Sequence, residues 1–128
     1  MKSKLKIFII ILIFLILVNF WFTHCRDSYL LAKGRLISIS SAIRNYQMDN
    51  DEFPDFGDLE EKLLRNYLTA IPEDPGTKTN KIVKYYDSTG GWVYNPENHI
   101  LQINSIQWWN PYTWSHRLTL KLDKKRQK

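Results

Sequence analysis

The chain has 128 residues, a formal net charge of +5 and one cysteine. This length allows one modest domain, and a single cysteine excludes an intrachain disulfide and a cysteine-based zinc site. The sequence contains no GxSxG or Gly-rich phosphate-binding motif, and its three histidines lie far apart. We therefore expect no enzyme active site, no cofactor and no small-molecule substrate.

An uncharged segment near the N-terminus predicts a membrane anchor. Residues 7–22, IFIIILIFLILVNFWF, contain one polar residue, Asn19. A helix that starts at Leu5 and ends at residue 22 is roughly 27 Å long, which nearly spans a hydrocarbon core of about 30 Å. We expect residues 1–25 to form a cytoplasmic stub and a transmembrane anchor, with residues 5–22 in contact with membrane lipid.

The charges that flank this anchor predict its orientation. Lys2, Lys4 and Lys6 precede the apolar segment, and the first acid is Asp27. The positive-inside rule then places the N-terminus in the cytoplasm and the C-terminal domain outside the cytoplasmic (inner) membrane. A cleaved signal peptide is the alternative, but the apolar segment is long for one, and residues 22–25, FTHC, offer no small-x-small cleavage site.

The helix is predicted to continue well beyond the anchor. Leu36, Ile39, Ile43 and Tyr46 recur at spacings of three and four, which is typical of one apolar face on a helix. No proline interrupts residues 1–53. We therefore predict one helix over residues 5–48, in which the first half lies in lipid and the second half is amphipathic and needs a protein partner.

The stretch 45–61, NYQMDNDEFPDFGDLEE, carries seven carboxylates and no Lys or Arg. We interpret it as a helix exit turn followed by a second helix over residues 58–68, with Asp58 as N-cap and Glu61 completing a capping box. A calcium loop is the alternative, but Pro54 occupies the position where such a loop requires glycine. Its weak candidate ligands are Asp49, Asp51 and Asp55.

The pattern of the chain then changes to that of a small sheet. Residues 81–86, 92–95 and 99–106 are rich in β-branched and aromatic residues, and turn residues separate them. We predict a three-stranded antiparallel meander that covers the apolar face of the long helix. A further strand is expected over residues 117–122.

An aromatic segment and a basic tail complete the chain over residues 108–128. We expect the aromatic segment either to cover the sheet as a lid or to form an interaction surface for a protein, a glycan or a membrane. The residues concerned are Trp108, Trp109, Tyr112 and Trp114. The tail 117–128 holds six basic residues and one acid, but its expected place outside the cytoplasm argues against nucleic acid as a partner.

The order of these features resembles that of type IV pilin-like proteins, in particular the pseudopilins of type II secretion systems. In the major-pseudopilin group, a half-embedded N-terminal helix leads into a pattern like Y…DNG.YP…L..L…YL..IP.DP, and a small antiparallel sheet containing GW.Y.P follows. The resemblance covers residues 36–104. The matching residues are Tyr46, Asp49, Asn50, Asp51, Phe53, Pro54, Leu59, Leu63, Tyr67, Leu68, Ile71, Pro72, Asp74, Pro75, Gly91, Trp92, Val93, Tyr94, Asn95 and Pro96.

The resemblance implies a pilin-like α+β fold with a domain over residues 26–107. The side chains that we expect to hold this domain together are Ile39, Ile43, Tyr46, Pro54, Asp58, Pro72, Asp74, Pro75, Trp92 and Tyr94. The implied function is that of a membrane-anchored pseudopilin-like structural subunit of a type II secretion or type IV pilus-like apparatus. Its expected partners are other pilin-like or secretion-apparatus subunits.

The N-terminus departs from this family. Pilins and pseudopilins carry a glycine cleavage site followed by an aromatic residue and then a glutamate, whereas this chain has no glycine before Gly34 and no acid before Asp27. This departure favours an alternative function, a non-polymerising, membrane-tethered binding or accessory module with a pilin-like fold. The calcium site of the family also has no matching acids here.

Overall fold

The computed structural model describes residues 1–105, 110–113 and 118–122. Its first element, α1, is a 49-residue helix over Lys2–Asn50, which confirms the single long helix predicted from the sequence. The helix ends at Asp51, which adopts a left-handed conformation with φ 59°. Aspartate tolerates this conformation better than most residues do, so the acidic stretch begins as the predicted exit turn.

The domain that follows contains short elements. A 3-10 turn at Phe56–Asp58 leads into α2 over Leu59–Asn66, which ends two residues before the predicted boundary. The strands are β1 (Ile82–Val83), β2 (Trp92–Asn95), β3 (Ile100–Ile103) and β4 (Thr119–Lys121), and a second 3-10 turn, Pro111–Thr113, precedes β4. The strand predicted over residues 117–122 is thus confirmed, whereas the one predicted over 81–86 shrinks to two residues.

The four strands form one mixed sheet in the order β1-β2-β3-β4. β2 pairs with β3 in antiparallel fashion, as predicted, and β3 pairs with β4 in the same way. β1, however, runs parallel to β2, with Ile82 opposite Trp92, so the prediction of a purely antiparallel sheet is wrong. The backbones approach closely beside this pair: Gly91 has a φ of +76°, and a side chain there would collide with the Lys81 carbonyl oxygen.

The core lies between α1 and the sheet. Leu36, Ile39 and Ile43, the predicted apolar stripe, are at most 1% exposed, and Tyr46 is 8% exposed. Burying an aliphatic side chain of this size contributes about 1.5–3 kcal/mol, so this face of α1 is a main source of stability. The same core cluster contains Leu59, Leu63, Trp92, Tyr94, Leu101, Leu118 and Leu122, and it therefore extends beyond the predicted domain boundary at residue 107.

Candidate functional site

The first half of α1 is apolar and unpacked. α1 is the helix among the described residues that is long and apolar enough to cross a membrane, with a mean hydropathy of 2.7 in its most apolar window, none of which is buried. Every residue of 5–22 is exposed except the half-buried Val18. An apolar surface of this length has no partner within the chain, as expected of a single-pass membrane protein.

The second half of α1 carries an open face on the side away from the core. We define the open face as Leu30, Gly34, Ile37 and Ser41, which follow one another at spacings of four, three and four and are all exposed. Leu30 is 53% exposed and Ile37 46%. A Cβ atom added to Gly34 would meet nothing within 4 Å, so packing within the chain does not require this glycine.

The acidic exit turn is engaged in hydrogen bonds with its surroundings. The Tyr67 hydroxyl donates a 2.6 Å hydrogen bond to the Asp49 carboxylate, and this bond is the main reason why the pKa of Tyr67 is raised. Asp51 terminates α1, and Asp55 is exposed. Within residues 1–105, 110–113 and 118–122, no group of three or more His, Cys, Asp or Glu side chains could hold a metal ion.

The capping box predicted at Asp58 does not form. Asp58 is the N-cap residue of α2, but its side chain makes no capping hydrogen bond. Its Oδ2 instead lies 2.9 Å from the Lys62 ammonium one turn later. This interaction raises the pKa of Lys62. Asp58 and Lys62 are both half-buried, and the carboxylate is oriented toward the Lys62 ammonium rather than toward the first backbone N–H groups of α2.

The loop after α2 is built around a buried carboxylate. Asp74 is fully buried, and one of its oxygens accepts a 2.9 Å hydrogen bond from the Gly76 backbone N–H. The other oxygen accepts hydrogen bonds from the Thr77 and Ser105 hydroxyls at 2.8 and 2.7 Å. Pro75 is also buried. The Asp74 side chain thereby joins Gly76 and Thr77 of the loop to Ser105, two residues after the end of β3.

Two further hydrogen bonds hold this loop between α1 and the sheet. The Arg35 guanidinium, on α1, donates to the Glu73 carbonyl at 2.6 Å. The Trp92 indole, on β2, donates to the Pro72 carbonyl at 2.7 Å. Pro72, Asp74 and Trp92 thus belong to one cluster. Its polar groups form hydrogen bonds with one another and hold the loop in place.

A second polar cluster, which the sequence did not reveal, organises the β1–β2 connection. The Asn104 amide donates to the Asp87 carboxylate at 2.7 Å and to the Gly90 carbonyl at 2.9 Å. The Thr89 hydroxyl and backbone N–H, together with Asn104, hold the pKa of Asp87 down at about 2. Asn104 is fully buried and directly follows the last residue of β3; a polar residue directly after a strand was the signal available in the sequence.

The predicted aromatic interaction surface is described in part. Trp108, Trp109 and Trp114 lie outside the described residues, and their role stays a prediction. Tyr112 lies against α1 rather than over the sheet: its ring centroid is 6.0 Å from that of Tyr29, and its side chain remains 38% exposed.

The chain matches no protein-family model, no curated protein and no solved structure. The α+β architecture and the apolar N-terminal helix are therefore shown by the structure itself. The resemblance to pseudopilins stays an interpretation of the sequence pattern.

Proposed function

We propose that this chain is a membrane-anchored, pseudopilin-like structural subunit of a type II secretion or type IV pilus-like apparatus. The observation that carries the proposal is the helix α1, Lys2–Asn50, which has an exposed apolar first half and a second half with only one covered side. The pattern of Tyr46, Pro54, Asp74 and Trp92 along the domain adds support, because all four residues are buried. In this proposal the N-terminus is cytoplasmic and the domain is extracytoplasmic.

The subunit acts by helix packing, through the open face. Leu30 and Ile37 supply apolar contact area, while Gly34 and Ser41 are small enough to let another helix approach closely. A glycine inside a helix lowers stability by roughly 0.5–1 kcal/mol relative to alanine. Packing within the chain does not require a glycine at position 34. Close contact with the helix of a neighbouring subunit would require a small residue there.

A second candidate is a non-polymerising, membrane-tethered binding or accessory module. The observation that favours it is Tyr112, which remains exposed beside Tyr29 on the outer half of α1. In that case the aromatic segment, rather than the open face, contacts the partner.

Photo-crosslinking from the open face tests the proposal. A benzophenone amino acid replaces Ile37 in the full chain in cell membranes, and a matched probe replaces Glu60, which is exposed on α2. We expect the probe at position 37 to capture a second copy, or another protein with an apolar N-terminal helix and a small α+β domain, identified by mass spectrometry. Products from position 60 only, or from neither position, would contradict the subunit proposal. A third probe replaces Tyr112, and capture of a partner from this position instead of position 37 would favour the module.

A further inference from the structure

The C-terminal part of the chain contacts α1 at Cys25, and we call this position along the helix axis the height of the contact. The Asn110 side-chain amide donates a 3.0 Å hydrogen bond to the carbonyl oxygen of Cys25, 85 residues earlier. Asn110 is fully buried, and its Oδ1 accepts a hydrogen bond from the Tyr112 backbone N–H at 3.0 Å. Residues 110–113 are therefore fixed against α1, and the Tyr29–Tyr112 ring pair adds a second contact.

With the proposed anchor in a bilayer, this contact would lie at the membrane surface. Cys25 follows Phe22, the last residue of the uncharged segment, by three residues, which is about 4.5 Å along a helix axis. The interfacial layer on each side of a bilayer is about 5–7.5 Å thick, since the full bilayer measures about 40–45 Å and its hydrocarbon core about 30 Å. When the apolar segment fills the hydrocarbon core, the Cys25 carbonyl lies at the level of the lipid headgroups.

The residues at this level have the composition of a membrane interface. Trp21 and Phe22 are in edge-to-face contact at 5.0 Å and are both exposed. Tyr112 adds a third exposed aromatic side chain from the far end of the chain. Tryptophan and tyrosine favour the headgroup layer because their rings are apolar at one end and hydrogen-bonding at the other. In the sequence, Trp109 directly precedes Asn110, and the basic tail follows.

We propose that residues 110–113 form a second membrane contact, in which Tyr112 lies in the lipid headgroup layer of the bilayer that α1 crosses. This proposal rests on the membrane anchoring stated under Proposed function. A lipid surface is the partner that fits Tyr112, because Tyr112 lies beside the membrane end of α1, where Trp21 and Phe22 are also exposed. The domain is then held to the membrane at two points, the helix and the returning C-terminal segment.

Fluorescence quenching by lipids tests this placement in the full chain. Cys25 is replaced by serine, and single cysteines are introduced as Tyr112→Cys, Phe14→Cys and Met48→Cys, each labelled with an environment-sensitive fluorophore. The proteins are reconstituted in nanodiscs of phosphatidylglycerol and phosphatidylethanolamine with lipids that carry a quencher at the headgroup or deep in the acyl chain. Met48 is the matched control, since it is exposed on α1 about 39 Å beyond Phe22.

We expect the headgroup quencher to reduce the signal at position 112 at least several-fold more than at position 48. The deep quencher should act on position 14. Quenching at 14 without quenching at 112 overturns the proposal and leaves the anchor intact. Absence of quenching at position 14 overturns the anchor and the proposal together.

Release of the hydrogen bond provides an independent check. In an Asn110→Ala background, we expect headgroup quenching at position 112 to fall several-fold, because the segment loses its attachment to Cys25. The near-ultraviolet circular dichroism of the domain should be retained. Unchanged quenching in this background would show that Asn110 does not set the height of the segment, and would overturn that part of the proposal. Nanodiscs of phosphatidylcholine, which lack net negative charge, remove the attraction of the basic tail to anionic lipid, and headgroup quenching at position 112 should persist in them; its loss there would assign the membrane contact to the tail and overturn the proposal for residues 110–113.

Discussion

The Tyr94 hydroxyl donates a 2.9 Å hydrogen bond to the carbonyl oxygen of Pro54, 40 residues earlier in the chain. Tyr94 is on β2 and fully buried, and Pro54 lies in the exit turn of α1. The bond therefore fastens the turn that ends the long helix to the centre of the sheet.

Tyr94→Phe should destabilise the domain by about 1–3 kcal/mol, because the substitution leaves the buried Pro54 carbonyl without its donor. Urea unfolding of the fragment that starts at Asp27, followed by tryptophan fluorescence, measures the change. Tyr85→Phe is the matched control, since Tyr85 is 65% exposed, and it should leave the midpoint unchanged. Equal effects of the two substitutions would mean that the Pro54 contact contributes nothing.

The same tyrosine predicts a loss of stability in alkali. Burial, followed by the charge of Asp55, raises the pKa of Tyr94. A folded pKa above that of the unfolded chain means that this contribution is fully present below the unfolded value, about 10 for tyrosine, and is lost as the pH rises above it. Unfolding measurements at increasing pH should show a steeper alkaline decline for the natural chain than for Tyr94→Phe. Parallel curves would contradict this assignment.

The core stripe of α1 predicts a large difference between two neighbouring substitutions. Ile43→Asp places an unpartnered carboxylate at a fully buried position, which should destabilise the domain by several kcal/mol. Ser41→Asp lies on the exposed side and should change stability little. Thermal unfolding of the two variants checks the helical phase, and similar midpoints would show that the phase is wrong.

Calcium should leave the stability of the domain unchanged. A bound ion at a hundredfold excess over its Kd would stabilise the fold by about 2.7 kcal/mol. Because Asp49 accepts from Tyr67 and Asp51 ends α1, we expect the same melting midpoint in millimolar Ca²⁺ and in chelator. A higher melting midpoint in Ca²⁺ than in chelator, if it is lost in the Asp49→Ala/Asp51→Ala double variant, would identify these carboxylates as ligands.

Substitutions of Gly34 should affect the stability of the domain and its contact with other subunits in different ways. Gly34→Ala should raise the stability of the domain by roughly 0.5–1 kcal/mol, since it lies inside a helix where a methyl group meets open space. Gly34→Leu should fold equally well but reduce crosslinking from position 37, because its side chain fills the open face. Ser28→Leu provides a control at a half-buried position of the same helix. Undiminished crosslinking in Gly34→Leu would exclude the open face as the contact.

The features that could be predicted from the sequence are those set by near neighbours. The stripe of Leu36, Ile39 and Ile43 follows from helical spacing alone, and the turn residues around Asp51 mark where the helix ends. The direction of β1 could not be predicted in this way. A two-residue strand has no directional signal, and the close approach of Gly91, in a left-handed conformation, to Lys81 is a contact between residues ten positions apart.

The hydrogen-bond and ion-pair partners of polar side chains were harder to predict, because many of them are distant in the sequence. The sequence around Asp58 matches a capping box, but Lys62 lies one residue further along the same face and takes the carboxylate. Asp74 was expected to be structural, yet its partner Ser105 lies 31 residues away. The contact between Asn110 and Cys25 spans almost the whole domain, and no local pattern announces it.

The continuity of α1 has a mechanical consequence. A helix of 49 residues is about 73 Å long, and no proline occurs between residues 1 and 53 to act as a hinge. Transmembrane helices are tilted by about 20° on average, and a tilt of that size displaces the far end of such a rod sideways by roughly 25 Å. In a bilayer spanned by the apolar half of this helix, a change of tilt in that half would move the exit turn at Asp51 sideways by a similar distance, without altering the fold of the domain.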